Sequence, residues 1–306
     1  MSLLSKPYFH DEKAAFEKLE SIVWPRGPVC PHCGNSDRIY VLNTARMGLK
    51  KCGECRKQFT VRVGTVFEAS KVPLHKWMQA TYLMVSSKKG ISAHQLHRIL
   101  EVTYKTAWFM AHRLREAMRE GRLLPPLGGK GKNVEADETY IGKKDSRRGM
   151  GGKRQGGAYK VPVLALVERG GKVRSFAMDA ANKRNVGELV RRNILNETTL
   201  QTDESNLYVE VGQRFARHET VKHSDGEYVR GDAYTNTVEN YFSVFKRGMK
   251  GVYQHCAEKH LHRYLAEFDF RYNARTVSDV ERAENALAGI VGKRLKYRGG
   301  VDFRAA

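Results

Sequence analysis

Three acidic residues occupy positions from which their carboxylates could bind metal ions. Asp137 lies within the strand-like segment VEADETYIG, Asp203 ends the segment TTLQTD, and Glu239 lies near the start of a helical segment. Strands disfavour Asp, so an Asp in the middle of a strand indicates a functional role. Two-metal phosphodiester chemistry requires acids from separate elements to converge on cations about 4 Å apart. Mg2+ prefers such oxygen ligands, and we therefore consider these three residues candidate ligands of two Mg2+ ions.

Neighbouring acids compete for the first two of these roles. Alternation along a strand places Glu135 and Asp137 on one face of the sheet and Glu138 on the other. Glu138 is therefore a rival ligand if the two faces are reversed. Glu204 follows Asp203 directly and is expected to lie in the loop after the strand.

The segment that carries Glu239 reads NTVENYFSVFKRGMKG and has the spacing of an amphipathic helix. The apolar residues expected to face a core are Val238, Tyr241, Phe242, Phe245 and Met249. Another line along the helix carries Glu239, Lys246 and Lys250. The four residues from Asn236 to Glu239 also have the form of a capping box, with the acid at the third helical position. Spacing alone leaves capping and catalysis both open for Glu239.

Four cysteines form two C-x-x-C pairs at the spacing of a zinc ribbon. They are Cys30, Cys33, Cys52 and Cys55. Four thiolates complete a tetrahedral site, which makes the expected zinc structural. Paired knuckles in a chain without an export signal favour zinc over disulfides. We expect His32 to be an exposed knuckle residue and Cys256 to be a packing residue.

The charge of the chain indicates a polyanionic partner. Fifty-four Lys and Arg residues oppose 33 Asp and Glu residues among 306, giving a formal net charge of +21. Nucleic acid is the obvious polyanion and a membrane surface is its rival. No apolar run reaches the length of a transmembrane helix, and the N-terminus lacks the apolar segment of a secretory signal. We therefore expect a soluble, cytoplasmic protein.

Residues 71–120 have helical periodicity throughout and predict a helix-turn-helix arrangement. Ser92 and Gln95 form a capping box that begins one helix, residues 101–103 form a turn, and a second helix begins at Tyr104. The second helix of such a motif enters the major groove by its N-terminal residues. The residues expected to contact DNA are Lys105, Thr106 and Arg113. A helical linker bundle without a DNA role is the alternative.

After the Pro- and Gly-rich stretch 125–132 the periodicity changes to that of strands. Three strands, a helix, a fourth strand and a fifth strand precede the helix of Glu239, and this order predicts an α/β layer on a mixed sheet. The insert 142–160 is rich in glycine and in basic residues. Such a segment either binds phosphate or forms a solvated hairpin tip.

These motifs together resemble the zinc-ribbon DDE transposases of bacterial insertion sequences. CPHC with CGEC, ADETYIGKK, TDES, NTVENYF and KHLHRYLAEFDFRYNAR follow one another in the family's order across most of residues 15–275. The resemblance implies a multidomain α/β protein with an RNase H-like catalytic core. The expected domains are an N-terminal helix with the zinc ribbon at 1–66, a helix-turn-helix-like region at 67–124, the catalytic domain at 130–275 and a basic C-terminal tail at 276–306.

The resemblance also implies the chemistry. Asp137 would bridge two Mg2+ or Mn2+ ions, while Asp203 and Glu239 would each hold one. Lys246 occupies the place, seven residues after the last acid, where many DDE enzymes carry a basic residue, and Lys250 would join it in holding phosphate. The expected activity is cleavage at the terminal inverted repeats of an element and strand transfer into target double-stranded DNA by a homodimer or higher oligomer. His223 and Asp225 receive no firmer role than shaping the site or contacting DNA.

Two other functions compete with an active transposase. One is a DNA-binding regulator or domesticated transposase, which would use the ribbon and the helix-turn-helix without strand transfer. The other is a hydrolytic nuclease with an RNase H-like core. All three acidic positions are filled, which a binding protein has no reason to retain, and two DNA-reading modules are of little use to a structure-specific nuclease.

Overall fold

The computed structural model describes residues 3–43, 46–121, 124–142, 144, 159–222, 229–230 and 232–296. The chain divides into two compact units. The first comprises the described residues of Met1–Arg119 and Val277–Ala306, and the second comprises those of Glu120–Thr276. No helix within the described ranges is long and apolar enough to cross a membrane.

The regular elements are numbered in chain order. The helices of the described residues are α1 (Glu12–Val23), α2 (Leu74–Ser86), α3 (Ala93–Leu100), α4 (Tyr104–Met118), α5 (Lys183–Asn193), α6 (Val209–Gly212), α7 (Asn236–Gly248), α8 (Leu261–Asn273) and α9 (Asp279–Ala288). The strands are β1 (Ile39–Val41), β2 (Lys50–Cys52), β3 (Gln58–Phe59), β4 (Asn133–Ile141), β5 (Val161–Glu168), β6 (Val173–Ala177), β7 (Thr199–Asp203), β8 (Arg217–Val221), β9 (Val229–Arg230) and β10 (Ala233–Tyr234).

The cysteine knuckles of the first unit flank a small antiparallel sheet of order β1-β2-β3. Phe59 is buried on this sheet and meets the Trp24 ring edge to face at 5.8 Å between centroids. The Lys50 ammonium lies 5.3 Å from the Trp24 ring centroid and pairs with Glu20. This core is small, as expected for a ribbon whose folding energy comes mainly from bound metal.

The first unit also contains the predicted pair of helices joined by a short turn. The capping box of Ser92 and Gln95 is present, with both of its hydrogen bonds. Glu101 ends α3 in the left-handed conformation, and the Thr103 hydroxyl accepts a hydrogen bond from the Thr106 amide to cap α4. The sequence therefore predicted these helix boundaries correctly, and their DNA-binding role stays a prediction.

The prediction of a basic tail from residue 276 is wrong for the described residues up to 296, because α9 and the segment after it complete the core of the first unit. Leu287, Ile290 and Leu295 are buried there. The Lys293 ammonium donates to the carbonyls of Ala117 and Arg119 at 2.8 and 2.5 Å. These contacts hold the segment against the end of α4.

A glycine permits this close approach. A Cβ added at Gly289 would lie 2.4 Å from the Ala117 carbonyl oxygen, closer than two such atoms can approach. Two cations of this segment thus have structural partners, because Arg294 also pairs with Glu68 at 2.9 Å.

The second unit is a five-stranded mixed sheet of order β6-β5-β4-β7-β8. The first three strands of the unit are antiparallel neighbours, whereas β4, β7 and β8 run parallel. Numbered within the unit, the order is 3-2-1-4-5, the RNase H-like arrangement expected from the resemblance. The central strand β4 thus lies between an antiparallel and a parallel neighbour.

Helices cover both faces of this sheet. Val163, Ala165 and Val167 of β5 face a core that contains residues of α7 and α8, while Leu164 and Leu166 face a core with residues of α5. This strict alternation is the period of a buried strand. The α7 stripe predicted from the sequence is buried in the first of these cores.

Candidate active site

The pairing of β4 with β7 brings two of the candidate acids to neighbouring positions. Glu135 pairs with Gln201 in the parallel register, so that two residues further on Asp137 is level with Asp203. Adjacent strands lie about 4.8 Å apart. The amide of Ser205 donates to the Asp203 carboxylate at 3.0 Å and orients it at the end of β7. The fold thus explains why the first acid lies in mid-strand and the second at a strand end.

Asp137 senses the negative charges of the other two candidate acids. Burial and, after it, the negative charges of Glu138, Asp203 and Glu239 together raise the pKa of Asp137 to about 7. The amide of Glu138 donates to the Asp137 carboxylate at 2.7 Å and opposes the rise. A partly buried carboxylate that senses three other negative charges is an environment suited to a multivalent cation.

Glu138 is committed to the other side of the sheet. The hydroxyl of the fully buried Tyr208 donates to its carboxylate at 2.6 Å. Tyr208 belongs to the core on the α5 face, so the alternation predicted for Glu135, Asp137 and Glu138 agrees with the structure. Burial raises the pKa of Glu138, and the Tyr208 hydrogen bond lowers it.

The capping box predicted at Asn236 is wrong, because Asn236 is the first residue of α7 and Thr235 is its N-cap. The Thr235 side chain does not cap the helix, and its hydroxyl donates to the Glu239 carboxylate at 2.9 Å. Glu239 is exposed on the first turn of the helix. Its carboxylate therefore lies where solvent and a metal ion can reach it.

The residue that caps α7 is Glu135 of β4. Its carboxylate accepts hydrogen bonds from the amides of Thr237 and Val238 at 2.8 and 2.9 Å, and from the Thr237 hydroxyl at 2.8 Å. A carboxylate at a helix N-terminus satisfies free amides and meets the positive end of the helix dipole. The strand that carries Asp137 thus also fixes the start of the helix that carries Glu239. The sequence offered one signal for this role, an acid two residues before Asp137 on the same strand face.

Arg169 completes this arrangement. Its Nε donates to the fully buried Glu135 carboxylate at 2.7 Å, and its two Nη atoms each donate at 2.8 Å to the carbonyls of Asp232 and Tyr234. The guanidinium also lies over the Tyr234 ring, 3.4 Å from its centroid. One buried ion pair therefore joins β4 to the segment that leads into α7. Neither member was singled out as part of the site from the sequence.

The four cysteines form a geometric metal site. Their Sγ atoms all lie within 4.8 Å of one another, and both the Cys30–Cys55 and the Cys33–Cys52 distances are 3.6 Å. A zinc tetrahedron with Zn–S bonds of about 2.3 Å has edges of about 3.8 Å. The thiols share protons. The backbone amide of Cys55 is the largest cause that lowers the pKa of Cys52, to about 7. The Asn35 backbone lowers the pKa of Cys33, but burial and the other three thiols outweigh it and raise that pKa to about 12. The residues therefore fit zinc, and His32 is exposed as predicted.

Within the described ranges, the cysteines are the one group of three or more potential ligands gathered this closely. The three carboxylates interact through their charges but are less tightly gathered. Like charges repel, so the acids approach one another closely only around a counter-ion. Their oxygen donors suit Mg2+ or Mn2+ and not zinc, which prefers the thiolates.

The residues predicted to contact DNA have different surroundings. Lys105 is exposed near the start of α4, and Thr106 beside it is half-buried and bonded to Thr103. The prediction that Arg113 contacts DNA is wrong, because its side chain is buried and its guanidinium donates to the Glu68 carbonyl at 3.0 Å. Because that side chain supports the core of the first unit, the structure does not offer Arg113 to DNA.

The two lysines of the α7 line lie beyond Glu239. Lys246 is half-buried with its ammonium 5.9 Å from the Phe242 ring centroid, and Lys250 is exposed on the π-helical turn that follows α7. Cys256 is half-buried against the core of the α7 face, which agrees with the packing role predicted for it. The roles considered for His223 and Asp225, and most of the insert 142–160, fall outside the described residues.

Comparisons with known proteins find matches both for the region of the three acids and for the region of the four cysteines. A family model described as "ISXO2-like transposase domain" matches residues 126–273. A second, described as "Transposase zinc-ribbon domain", matches residues 10–58. The first range contains the three acids and the second contains the four cysteines.

A relative from Halobacterium salinarum is 31% identical over 277 residues, covering 86% of this chain and 91% of the relative. Its printed description is "Uncharacterized protein in transposable element ISH50". Among solved structures, an intasome of simian T-cell lymphotropic virus in complex with PP2A regulatory subunit B56 gamma matches 57% of this chain and 67% of that chain. The identity is 12% and the TM-score is 0.29, so this match carries no argument.

Proposed function

Because this chain belongs to the zinc-ribbon DDE-type transposases of insertion sequences, we propose that it binds the terminal inverted repeats of its element and catalyses metal-dependent strand cleavage and strand transfer into target DNA. The observation that carries the proposal is the convergence of charge on Asp137, whose pKa rises to about 7 partly because Asp203 and Glu239 lie near it. A chain that only bound DNA would gain nothing from this repulsion.

Asp137, Asp203 and Glu239 would hold two Mg2+ or Mn2+ ions. When bound, such ions activate the attacking hydroxyl and stabilise charge on the phosphodiester, so no side chain need act as a general base. Asp137 must be deprotonated to serve as a ligand, and cation binding therefore displaces the proton that burial favours. The Glu135 cap and the Thr235 hydroxyl hold the first turn of α7, and with it Glu239, in place.

The two units would contact different parts of the DNA. Lys105 and Thr106 at the start of α4 would contact the terminal repeat, while Lys246 and Lys250 would hold phosphate beside the acids. Lysines at phosphates add affinity without sequence preference. Transposition joins two ends of an element, and by analogy with the family we therefore propose at least a homodimer on DNA. Its place of work would be the cytoplasm, in association with DNA.

The test is cleavage and joining of duplex DNA that carries the terminal sequences of the element, in the presence of Mg2+. Glu239→Gln should reduce both activities by more than about a hundredfold, because the amide cannot replace a metal-binding carboxylate. Glu188→Gln is the matched control, since this residue lies on α5 and pairs with Arg192 on the other face of the sheet.

The outcomes separate the competing functions. Specific binding of the terminal sequences without cleavage would identify a regulator. Cleavage without joining would identify a hydrolytic nuclease. Joining that survived Asp137→Asn would contradict the assignment of the site.

A further inference from the structure

The backbone pairing of β4 with β7 ends before it reaches the two acids that these strands carry. Within the described residues, the last pair between the two strands is Glu135 with Gln201. Asp137 and Asp203 each lie two residues beyond that pair. Two like charges repel, so the carboxylates themselves favour separation of the chain segments at this point.

Tyr208 joins the two segments beyond the last backbone pair. It follows Asp203 by five residues, and its side chain is fully buried in the core of the α5 face. Its hydroxyl donates to the Glu138 carboxylate at 2.6 Å. Because Glu138 is the residue after Asp137, this hydrogen bond connects the neighbour of the first acid to the segment that follows the second.

Short backbone contacts link each end of this hydrogen bond to an acid. On β4, the Glu138 amide donates to the Asp137 carboxylate at 2.7 Å. After β7, the Ser205 amide donates to the Asp203 carboxylate at 3.0 Å, and the Tyr208 amide donates to the Ser205 carbonyl at 3.2 Å. A displacement of Tyr208 relative to Glu138 would therefore move the two carboxylates relative to each other.

Two simpler roles compete with positioning for the Tyr208–Glu138 hydrogen bond. It would be purely structural if it only satisfied a buried hydroxyl, as the bond from Tyr253 to Glu267 does at 2.5 Å in the same unit. Alternatively, Glu138 would attract cations by its charge alone, and its hydroxyl partner would be immaterial. The position of the bond, directly behind both acids and past the end of the strand pairing, favours positioning.

We propose that the Tyr208–Glu138 hydrogen bond positions the first two acids, holding their carboxylates at the separation that a divalent cation requires before the cation arrives. Ligands held in place in this way lose less conformational freedom on binding, which raises affinity. The inference rests on the proposed function, because it presumes that Asp137 and Asp203 bind the cation. Tyr208 is a positioning residue, since it lies on the opposite face of the sheet from the acids.

The experiment measures Mn2+ binding directly, by the electron paramagnetic resonance signal of free Mn2+, with the full-length, zinc-loaded protein at one fixed pH. Asp203→Asn defines the part of the binding that belongs to the acids. Tyr208→Phe removes the hydrogen bond and leaves the ring in the core. Its Mn2+ dissociation constant should rise about tenfold, the lower end of the range for lost outer-shell partners of metal ligands.

Two further variants separate position from charge and from stability. Glu138→Gln removes the charge but keeps an oxygen that accepts from the Tyr208 hydroxyl, so its Mn2+ affinity should stay closer to wild type than that of Tyr208→Phe. Tyr253→Phe is the matched control, because it also removes a hydroxyl that donates to a carboxylate. It should leave the Mn2+ dissociation constant unchanged.

Cleavage of the terminal duplex provides a second measurement. In Tyr208→Phe, the Mn2+ concentration for half-maximal cleavage should rise about tenfold, while the rate at saturating Mn2+ is largely retained. A merely structural hydrogen bond would instead lower the amount of active protein at every Mn2+ concentration.

The outcomes keep this inference separate from the proposed function. Loss of Mn2+ binding in Asp203→Asn, with wild-type affinity in Tyr208→Phe, would overturn the inference and leave the acids as ligands. A larger loss in Glu138→Gln than in Tyr208→Phe would overturn it in favour of charge, and equal losses in Tyr208→Phe and Tyr253→Phe in favour of stability. Wild-type Mn2+ binding in Asp203→Asn would contradict the proposed site itself.

Discussion

Replacing Asp137 by Asn should stabilise the metal-free second unit, and the gain should depend on pH. Asp137 is largely buried and near Glu138, Asp203 and Glu239, which together raise its pKa to about 7 from an ordinary value of 3.8. The folded state therefore binds a proton that the unfolded state releases at lower pH. Asn has nearly the same shape and no charge, so the variant avoids the cost of ionising the site.

The size of this stability gain follows from the linkage between proton binding and folding. Between pH 3.8 and about 7 the folded protein holds one more proton than the unfolded chain, so its stability falls as pH rises, by about 1.4 kcal/mol per pH unit. Above about pH 7 both states have lost the proton and the loss is complete. The shift of about 3 pH units corresponds to about 4 kcal/mol. Asp137→Asn should thus be nearly neutral at pH 4 and stabilising by up to about 4 kcal/mol at pH 8.

The assay must report on the second unit. The three tryptophans of the chain all belong to the first unit: Trp24, Trp77 and Trp108. Their fluorescence therefore does not report the unfolding of the second unit. Hydrogen exchange of the buried β5 amides measures the opening free energy of the sheet itself. The test compares the opening free energies of wild type and Asp137→Asn from pH 5.5 to 8.5, after correction for the intrinsic exchange rate.

Two results would refute this reasoning. The first is a stability difference between the proteins that does not grow with pH. The second is equal stabilisation of both proteins by millimolar Mg2+, because the variant lacks the Asp137 carboxylate and should gain less from the cation.

Three further changes test other parts of the structure. Glu135→Gln should destabilise the second unit by about 3–5 kcal/mol in hydrogen exchange, because it leaves the half-buried Arg169 without its buried counter-charge. Cys52→Ser should reduce bound zinc from about one ion per chain to well below one in metal analysis, and should lose the ribbon fold as seen by NMR. Tyr241→Phe removes the hydroxyl that donates to the half-buried Asp269 at 2.5 Å. Desolvation raises the pKa of Asp269 and the Tyr241 hydrogen bond lowers it, with a net rise to about 7. The cost of this substitution should be about 1.5–3 kcal/mol at pH 8, where Asp269 is ionised, and smaller at pH 5.5, when measured by urea unfolding.

For each of these three variants, one result would contradict the expectation. An unchanged β5 exchange rate in Glu135→Gln would mean that the ion pair does not hold α7. Full zinc content in Cys52→Ser would exclude a four-thiolate site. A loss in Tyr241→Phe that is equal at both pH values would show that Asp269 does not change its protonation state between them.

The sequence predicted those features whose causes are local. Alternation along β4 and the capping box at Ser92 depend on residues a few positions apart, and both agree with the structure. The cysteine spacing likewise predicted the knuckles. The same local pattern misled at Asn236, where the residues have the form of a capping box but the helix begins one residue earlier than a cap at Asn236 requires.

The missed features depend on contacts between distant parts of the chain. Glu135 caps α7 from 102 residues away, and nothing in the spacing shows which strand supports which helix. Arg113 has the position of a groove contact on a helix, yet packing decides that it points inward. The residues of α9 have an amphipathic pattern, but the pattern does not identify the surface against which they pack.

The return of α9 to the first unit bears on how the protein is made. Leu287, Ile290 and Leu295 each contribute about 1.5–3 kcal/mol of burial to a unit whose other part ends at residue 119. A ribosome must therefore synthesise the whole catalytic unit before the ribbon-bearing unit can complete its core. At about 5–20 residues per second, that interval lasts on the order of ten seconds or more. The order of synthesis thus ensures that a chain with a completed first unit already carries all three acids.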